Sequence, residues 1–393
     1  MPRDASAMRI LMVLESIYPA PRGGGAEVQV RKLARGLRAR GHRVTVLCPD
    51  SHAGMARVER VDGSAVCRLP YPRIRLLGGP WLWCVLLSFL LSRRRRYDVW
   101  HVHIAHFMGA ATALAGAWVD KRVVVKISGW WELERGVFAN RAWPLSALAL
   151  RCYRHVDKWQ AISTRIARAL ADRGIPADRI AAIPNGVNMH RFADIPRPSG
   201  DAARFLFIGR LVKEKGLEDL LHAFAGIGDR YPDARLTLVG AGYLMSQLEQ
   251  MASTLGIGTK VNFLGHRDDI ENLMAQHNVG VLPSRIEGLS NTLLETMAAG
   301  LPMIASRISG NEDFVTTGKN GWLFESGDRA QLAEVLHQAA ALDKPSRDAM
   351  GDCARTVAGR KAGMDGVIDS LLALYRGPDP HDAAPRVALH GGH

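Results

Sequence analysis

The chain has 393 residues, 47% hydrophobic and 23% charged, with 51 Lys+Arg against 38 Asp+Glu. That mix excludes a disordered, collagen-like or multi-span membrane protein, and the length suits two or three domains with full cores. The net charge of +13 is the unusual number and invites an anionic partner, nucleic acid or a membrane surface.

Short apolar runs alternate with stretches of helical spacing. Arg9–Leu14 reads as a first strand; the run is too short for the core of a signal peptide and is followed by Glu15. Ala26–Arg40 carries Val30, Leu33, Ala34 and Leu37 on one helical face, and Val44–Leu47 reads as a strand. Trp81–Leu91 is the longest apolar run, short of the ~18–20 residues that span a bilayer, and is expected to be a core helix before strand Tyr97–Val102. Strands are expected at Arg122–Ile127, Lys158–Ile162 and Arg179–Ile183, with helical stretches at Phe107–Trp118 and from Ser163. This alternation implies a parallel sheet covered on both faces.

The Pro- and Gly-rich stretch Phe192–Gly200 breaks the pattern, so a first domain is expected over 1–196. A second series follows, with strands at Arg204–Ile208, Arg235–Val239, Lys260–Leu264, Val279–Leu282 and Pro302–Ala305. Its helices are Gly216–Phe224, Tyr243–Leu255 and Ser290–Ala299. Residues 197–376 form the second domain, its last helix (about 361–376) free to pack back on the first, and the patternless 377–393 is expected to be disordered. The fold class is therefore α/β: two tandem Rossmann-like, doubly wound domains with a cleft between them, where such sheets bind ligands.

The charge is uneven. Residues 1–196 hold 31 Lys+Arg and 14 Asp+Glu, a net +17, and residues 197–393 hold 20 and 24, a net −4. Two basic clusters stand out: Arg31, Lys32, Arg35 and Arg38 opposite the apolar stripe of the first helix, and Arg93, Arg94, Arg95 and Arg96 after Trp81–Leu91. Both are read as contacts to an anionic membrane; the bland alternative for the arginines is a solvated helix cap. Five cysteines without a C-x-x-C pair suit a reducing cytosol.

Two segments carry chemistry. Strand Phe205–Ile208 runs into Gly209-Arg210, and Lys215-Gly216 opens a helix. Two cations beside a helix N-terminus suit a diphosphate, the alternative being solvated surface charges. Further on, Glu287 and Glu295 flank Gly288-Leu289-Ser290-Asn291, whose N–H groups at a helix start form an anion cradle.

These segments resemble the retaining glycosyltransferases of the GT-B fold, family 4 (glycosyl transferases group 1). Further matching segments are Gly24-Gly25-Ala26-Glu27 with Gly41-His42-Arg43-Val44, Asp98–His103, Ile183-Pro184-Asn185-Gly186-Val187 and Lys319–Phe324, in family order over about 8–376. The resemblance implies that Arg210 and Lys215 bind the donor diphosphate and neutralise the leaving phosphate. It implies that Glu295 holds the ribose, that Glu287 contacts the donor sugar, and that Gly288, Leu289, Ser290 and Asn291 line the donor site. Gly24 and Gly25 would admit the phosphates without a Cβ clash. His103 would sit at the strand end near the reacting centre; the alternative is a hydrogen-bonded structural histidine. His101 is assigned to the opposite strand face, and His106 is within reach of the cleft.

Many relatives carry a histidine after strand Val123–Ile127, where this chain reads Ser128-Gly129-Trp130-Trp131-Glu132. Trp130, Trp131 and Glu132 are the candidate acceptor contacts, or else loop packing. No D-x-D motif lies in a metal-binding context, and the pair Asp379 and Asp382, on either side of Pro380-His381, is in the tail. Metal-independent transfer is therefore expected, with no cofactor beyond the nucleotide-sugar co-substrate. The implied reaction moves a sugar from a UDP-sugar or GDP-mannose to a lipid-linked or saccharide acceptor, with retention by internal return or double displacement. The implied setting is polysaccharide or glycolipid synthesis on the cytoplasmic face of a membrane, with no nucleic acid. Rival readings are a GT-B nucleotide-sugar epimerase, a nucleic-acid-binding nucleotide sensor and a Rossmann oxidoreductase, the last two lacking their motifs.

Overall fold

The computed structural model describes residues 7–19, 24–50, 55–72, 74, 77–139 and 144–377. The tail from 378, including Asp379 and Asp382, lies outside the described residues.

The first domain holds an eight-stranded sheet of β1 (Arg9–Leu14), β2 (Arg43–Pro49), β3 (Val58–Val61), β4 (Ser64–Leu69), β5 (Val99–His103), β6 (Arg122–Ile127), β7 (Lys158–Ala161) and β8 (Ile180–Ala182), in the order 3-4-2-1-5-6-7-8. All neighbours are parallel except β3 and β4. Ile10 through Leu14 are all fully buried, as a central strand with helices on both faces requires. The β3–β4 hairpin lies outside the elements expected above, although its signal is present: Asp62-Gly63 takes φ of +47° and +77°, the conformation of a two-residue hairpin turn.

The second domain holds β9 (Arg204–Ile208), β10 (Arg235–Val239), β11 (Val261–Phe263), β12 (Val279–Leu282), β13 (Met303–Ser306) and β14 (Gly321–Phe324), in the order 11-10-9-12-13-14, all parallel. Strand order reverses between β1 and β5 in one sheet and between β9 and β12 in the other. The crevices above those carboxyl ends are the natural ligand positions of such sheets.

The last helix, Met364–Arg376, returns to the first domain. Val367, Ile368, Leu371 and Leu372 bury against Val30, Leu33 and Leu37 of the Gly25–Ala39 helix. Arg40 pairs with Asp365 at 2.9 Å and with Asp369, and Arg122 Nε donates to Leu374 O at 2.8 Å.

The two basic clusters do not form one surface. The Gly25–Ala39 helix and the returning C-terminal helix cover one face of the first sheet, and the helices Gly78–Ser92 and Phe107–Trp118 cover the other. Arg31, Arg35 and Arg38 gather round Asp62 of the hairpin turn, Arg31 Nε lying 2.5 Å and Arg35 Nε 3.6 Å from its carboxylate. Lys32 turns to Glu295 of the second domain instead. Arg93–Arg96 close the Gly78–Ser92 helix on the opposite face. In that helix only Leu82, Leu86 and Leu90, four residues apart, are buried among the large side chains, and Trp81 at its start is 55% exposed. Trp81 lies at the carboxyl edge of the sheet and the arginines at the amino edge, about 20 Å apart at 1.5 Å per helical residue.

Candidate functional site

Between the domains lies a cleft of about 630 Å³. Its second-domain wall comes from the two loops that flank the β9/β12 reversal. Arg210 follows β9, is exposed, lines the cleft and makes no side-chain bond among the described residues. Lys215 ends a short turn and Gly216 begins the helix Leu217–Ala225. Gly216 sits at φ +64°, where a Cβ would lie 2.2 Å from Pro283 O, so only glycine lets the β9 loop pass the β12 loop this closely.

That close passage brings Lys215 onto Glu287: the two form an ion pair with each side chain about one-sixth exposed or less, and Ser284 Oγ donates to Glu287 at 2.9 Å. Ser290 caps the helix Asn291–Ala298, its hydroxyl accepting from Leu293 N, which leaves the first backbone N–H groups of that helix facing the cleft. A free guanidinium, a shared ammonium and a helix N-terminus on one wall can hold a diphosphate. Glu295 lies one turn further on. Lys32 Nζ from the first domain reaches its Oε1 at 2.5 Å, so a residue read as a membrane contact pairs across the domains with a cleft-lining carboxylate.

The first domain contributes Gly24 and Gly25, which begin its first helix and line the cleft. A Cβ on Gly24 would lie 1.9 Å from the carboxylate of Glu27, which Ser16 holds. Gly288 packs directly on this domain: a Cβ there would lie 2.8 Å from Gly129 Cα and 2.9 Å from Ser128 O. Leu289 is buried, and Asn291 reaches across to Gly25 O at 3.1 Å.

Several expected residues stand elsewhere. His103 is fully buried beneath the floor, both ring nitrogens without a partner among the described residues. Burial, with His101 and Lys126 nearby, holds its pKa well below the usual histidine range, so it is neutral. The cleft is lined instead by the next residue, Ile104, whose φ of +81° is a strained conformation for a β-branched side chain. His101 shares the face of His103, their rings 4.1 Å apart, because side chains two apart in a strand point the same way. It meets Tyr375 Oη at 2.6 Å, and burial lowers its pKa to about 3. His106 is not among the cleft-lining residues; it pairs with Glu15 at 2.8 Å, which raises its pKa.

Glu132 does not face an acceptor. It is fully buried, and its two oxygens accept from Ala105 N at 2.6 Å and Ser128 N at 2.7 Å, tying the loops after β5 and β6 together. Burial pushes its pKa up to about 7 against those bonds and Lys126. Trp130 is half-buried and bonds Glu134, whereas Trp131 is 43% exposed and lines the cleft. Of the three, only Trp131 offers a surface for a sugar or lipid.

Three residues without a role in the expectations above form the floor or brace it from below. Lys126 is buried, lines the cleft and donates to Asn185 Oδ1 at 2.7 Å, and burial lowers its pKa to about 8. Asn185 and Gln29 connect it to the second domain. A lysine inside an apolar strand, Val123–Ile127, was the available signal, since a buried charge needs a purpose or a partner.

The sequence matches two family models: the one described as Glycosyltransferase Family 4 over residues 23–191, and Glycosyl transferases group 1 over 191–357. It is 30% identical over 376 residues to the glycogen synthase of Mycobacterium tuberculosis (strain ATCC 25618 / H37Rv), covering 86% of this chain and 87% of that protein. It is 26% identical over 380 residues to the GDP-mannose-dependent alpha-(1-6)-phosphatidylinositol monomannoside mannosyltransferase of Mycolicibacterium smegmatis, covering 90% and 94%. Anabaena Alr3699/HepE, solved in complex with UDP, shares the fold with a TM-score of 0.75 at 20% identity, over 93% of this chain and 98% of that one.

Proposed function

The chain belongs to glycosyltransferase family 4, the glycosyl transferases group 1, with the GT-B fold, and from that premise we propose that it transfers a sugar, with retention, from a UDP-sugar or GDP-mannose to a lipid-linked or saccharide acceptor. The observation that carries this reading is the convergence of Arg210, Lys215, Glu287 and Glu295 on one cleft around the start of the Asn291–Ala298 helix.

In this reading the donor diphosphate lies over that helix start. Arg210 and Lys215 neutralise the charge that builds on the leaving phosphate as the anomeric centre becomes oxocarbenium-like, and the helix N–H groups bond the same oxygens. Fixed donors aimed at developing charge are commonly the largest catalytic term, and here they stand in place of a divalent metal. Lys215 then exchanges Glu287 for phosphate, which frees the Glu287 carboxylate for the donor sugar. Glu295 holds the ribose, and Trp131 stacks on the acceptor.

Both nucleotides occur among the relatives, GDP-mannose in one relative's name and UDP as the bound ligand of another. A lipid acceptor is supported by the phosphatidylinositol monomannoside in one relative's name. It is also supported by Ile74, Leu77 and Trp81, all more than half exposed near the sheet's carboxyl edge. No helix among the described residues is long and apolar enough to cross a membrane. In this reading docking is peripheral, on the cytoplasmic face, with the exposed apolar residues entering the interface and Arg93–Arg96 meeting anionic headgroups. Five free cysteines suit that reducing compartment.

The test is a thermal-shift panel of UDP, GDP and their sugars on the wild type and Lys215→Ala, followed by NMR of the product's anomeric configuration. A stabilising nucleotide whose effect and turnover both vanish in Lys215→Ala is expected. Retained turnover in the variant removes the leaving-group role, and an inverted product removes retention. Free-donor isomerisation without acceptor product would point to an epimerase.

A further inference from the structure

Beneath the cleft runs a chain of side-chain amides that joins the two domains. It starts at Lys126, 1% exposed and without an ion pair among the described residues. Lys126 Nζ donates to Asn185 Oδ1 at 2.7 Å. Asn185 Nδ2 donates to Leu289 O at 3.0 Å and to Asn291 Oδ1 at 3.3 Å. Asn291 Oδ1 also accepts from Gln29 Nε2 at 2.7 Å, while Asn291 Nδ2 donates to Gly25 O. Gln29 Oε1 in turn accepts from Gly186 N at 3.1 Å.

An amide side chain can present either end to a neighbour, but an ammonium only donates. Facing Lys126, Asn185 must turn its oxygen inward, and its NH₂ then points at Leu289 O and Asn291. Asn291 must accept there, so its own NH₂ points at Gly25 O. The Lys126 ammonium, which only donates, and the Leu289 and Gly25 carbonyls, which only accept, impose one polarity on the chain from both ends. The Leu289 carbonyl it reaches is two residues from Glu287, in the loop whose Gly288 already touches Gly129.

We propose that Lys126 is a positioning residue for glycosyl transfer: by anchoring Asn185 it holds the interdomain amides in place and so sets the Glu287–Asn291 loop against the first domain. The inference rests on the transfer reading above for its catalytic consequence, and on the hydrogen-bond chain alone for its structural one.

The two are tested separately on the full chain. Lys126→Met keeps the stem and removes the donor. Without ligand, hydrogen–deuterium exchange in 24–30 and 286–292 rises about tenfold, while the remote helix at 217–225 is unchanged. Adding Asn185→Ala to Lys126→Met gives no further rise over Asn185→Ala alone. Unchanged exchange in Lys126→Met, or additive effects in the pair, overturns the proposal. Asn291→Ala cuts the same chain from the second domain and serves the same exchange test if Lys126→Met does not fold. With whichever nucleotide sugar the wild type uses, Lys126→Met lowers kcat about a hundredfold, the scale of a displaced reacting group, and changes donor KM little. A drop in KM-linked affinity with kcat intact overturns positioning. A wild type that turns over no nucleotide sugar sinks the transfer reading, and the exchange result still decides the clasp.

Discussion

Lys32, on the first helix of one domain, holds its ammonium 2.5 Å from the carboxylate of Glu295 in the other, and both side chains are four-fifths buried or more. The pair closes one side of the cleft and orients Glu295 from behind. Glu295→Gln is expected to weaken UDP or GDP binding about tenfold, the cost of losing a charged hydrogen bond. Lys32→Met keeps the Glu295 carboxylate proposed to hold the ribose and should bind within about threefold of wild type. Calorimetry with both nucleotides checks this; equal losses in the two variants would assign the effect to domain closure instead.

Gly288 meets Gly129 and Ser128 with no room for a side chain. The nearest blocking atoms are backbone, so Gly288→Ala must separate the domains or shift the Glu287–Asn291 loop. A loss of turnover of about a hundredfold is expected with little loss of stability, because each domain keeps its own core. Steady-state rates and a urea melt on the same preparation test it. A variant with normal turnover would show that the contact is not needed during reaction.

Lys126 gives a stability signature at alkaline pH. Burial lowers its pKa from 10.5 to about 8. A depressed folded-state pKa means the folded state binds the proton less tightly than the unfolded one. Its stabilising contribution is therefore present above the unfolded value and is lost as pH falls through the folded one. Relative to Lys126→Met, the wild type should gain about 3 kcal/mol of unfolding free energy between pH 8 and 10.5. Parallel urea melts read the difference, in which other titrating groups cancel. A flat difference would mean that Lys126 is not desolvated in solution.

Leu371 is fully buried between the returning C-terminal helix and the first domain. Leu371→Ala should cost about 2–5 kcal/mol. The loss should appear in the first domain, although the residue lies at the far end of the chain. Tryptophan fluorescence separates the domains, since Trp322 is the only tryptophan in the second. A melt confined to the second domain would show that the helix does not brace the first.

Much of this protein was legible from residue order. The apolar runs place the strands, because a parallel strand buried on both faces is continuously apolar. Arg210, Lys215, Glu287 and Gly288–Asn291 stand out because they sit in loops at strand ends, where side chains are freed from packing for binding. The Asp62-Gly63 hairpin was equally readable and is a matter of turn chemistry.

What residue order alone determined is two doubly wound domains, the loops that line the cleft from the second domain and an uneven charge of +17 and −4. What only the tertiary structure decided is where those charges go. Lys32 faces Glu295, Arg31 and Arg35 face Asp62, Arg40 faces Asp365, and Arg93–Arg96 lie on the other side of the sheet. It likewise put His103 and Glu132 beneath the cleft and Lys126 in its floor. The reason is geometric. Local periodicity tells which face of an element an atom is on, but partners about 30 to 330 residues apart meet only when the sheets close and the last helix crosses back.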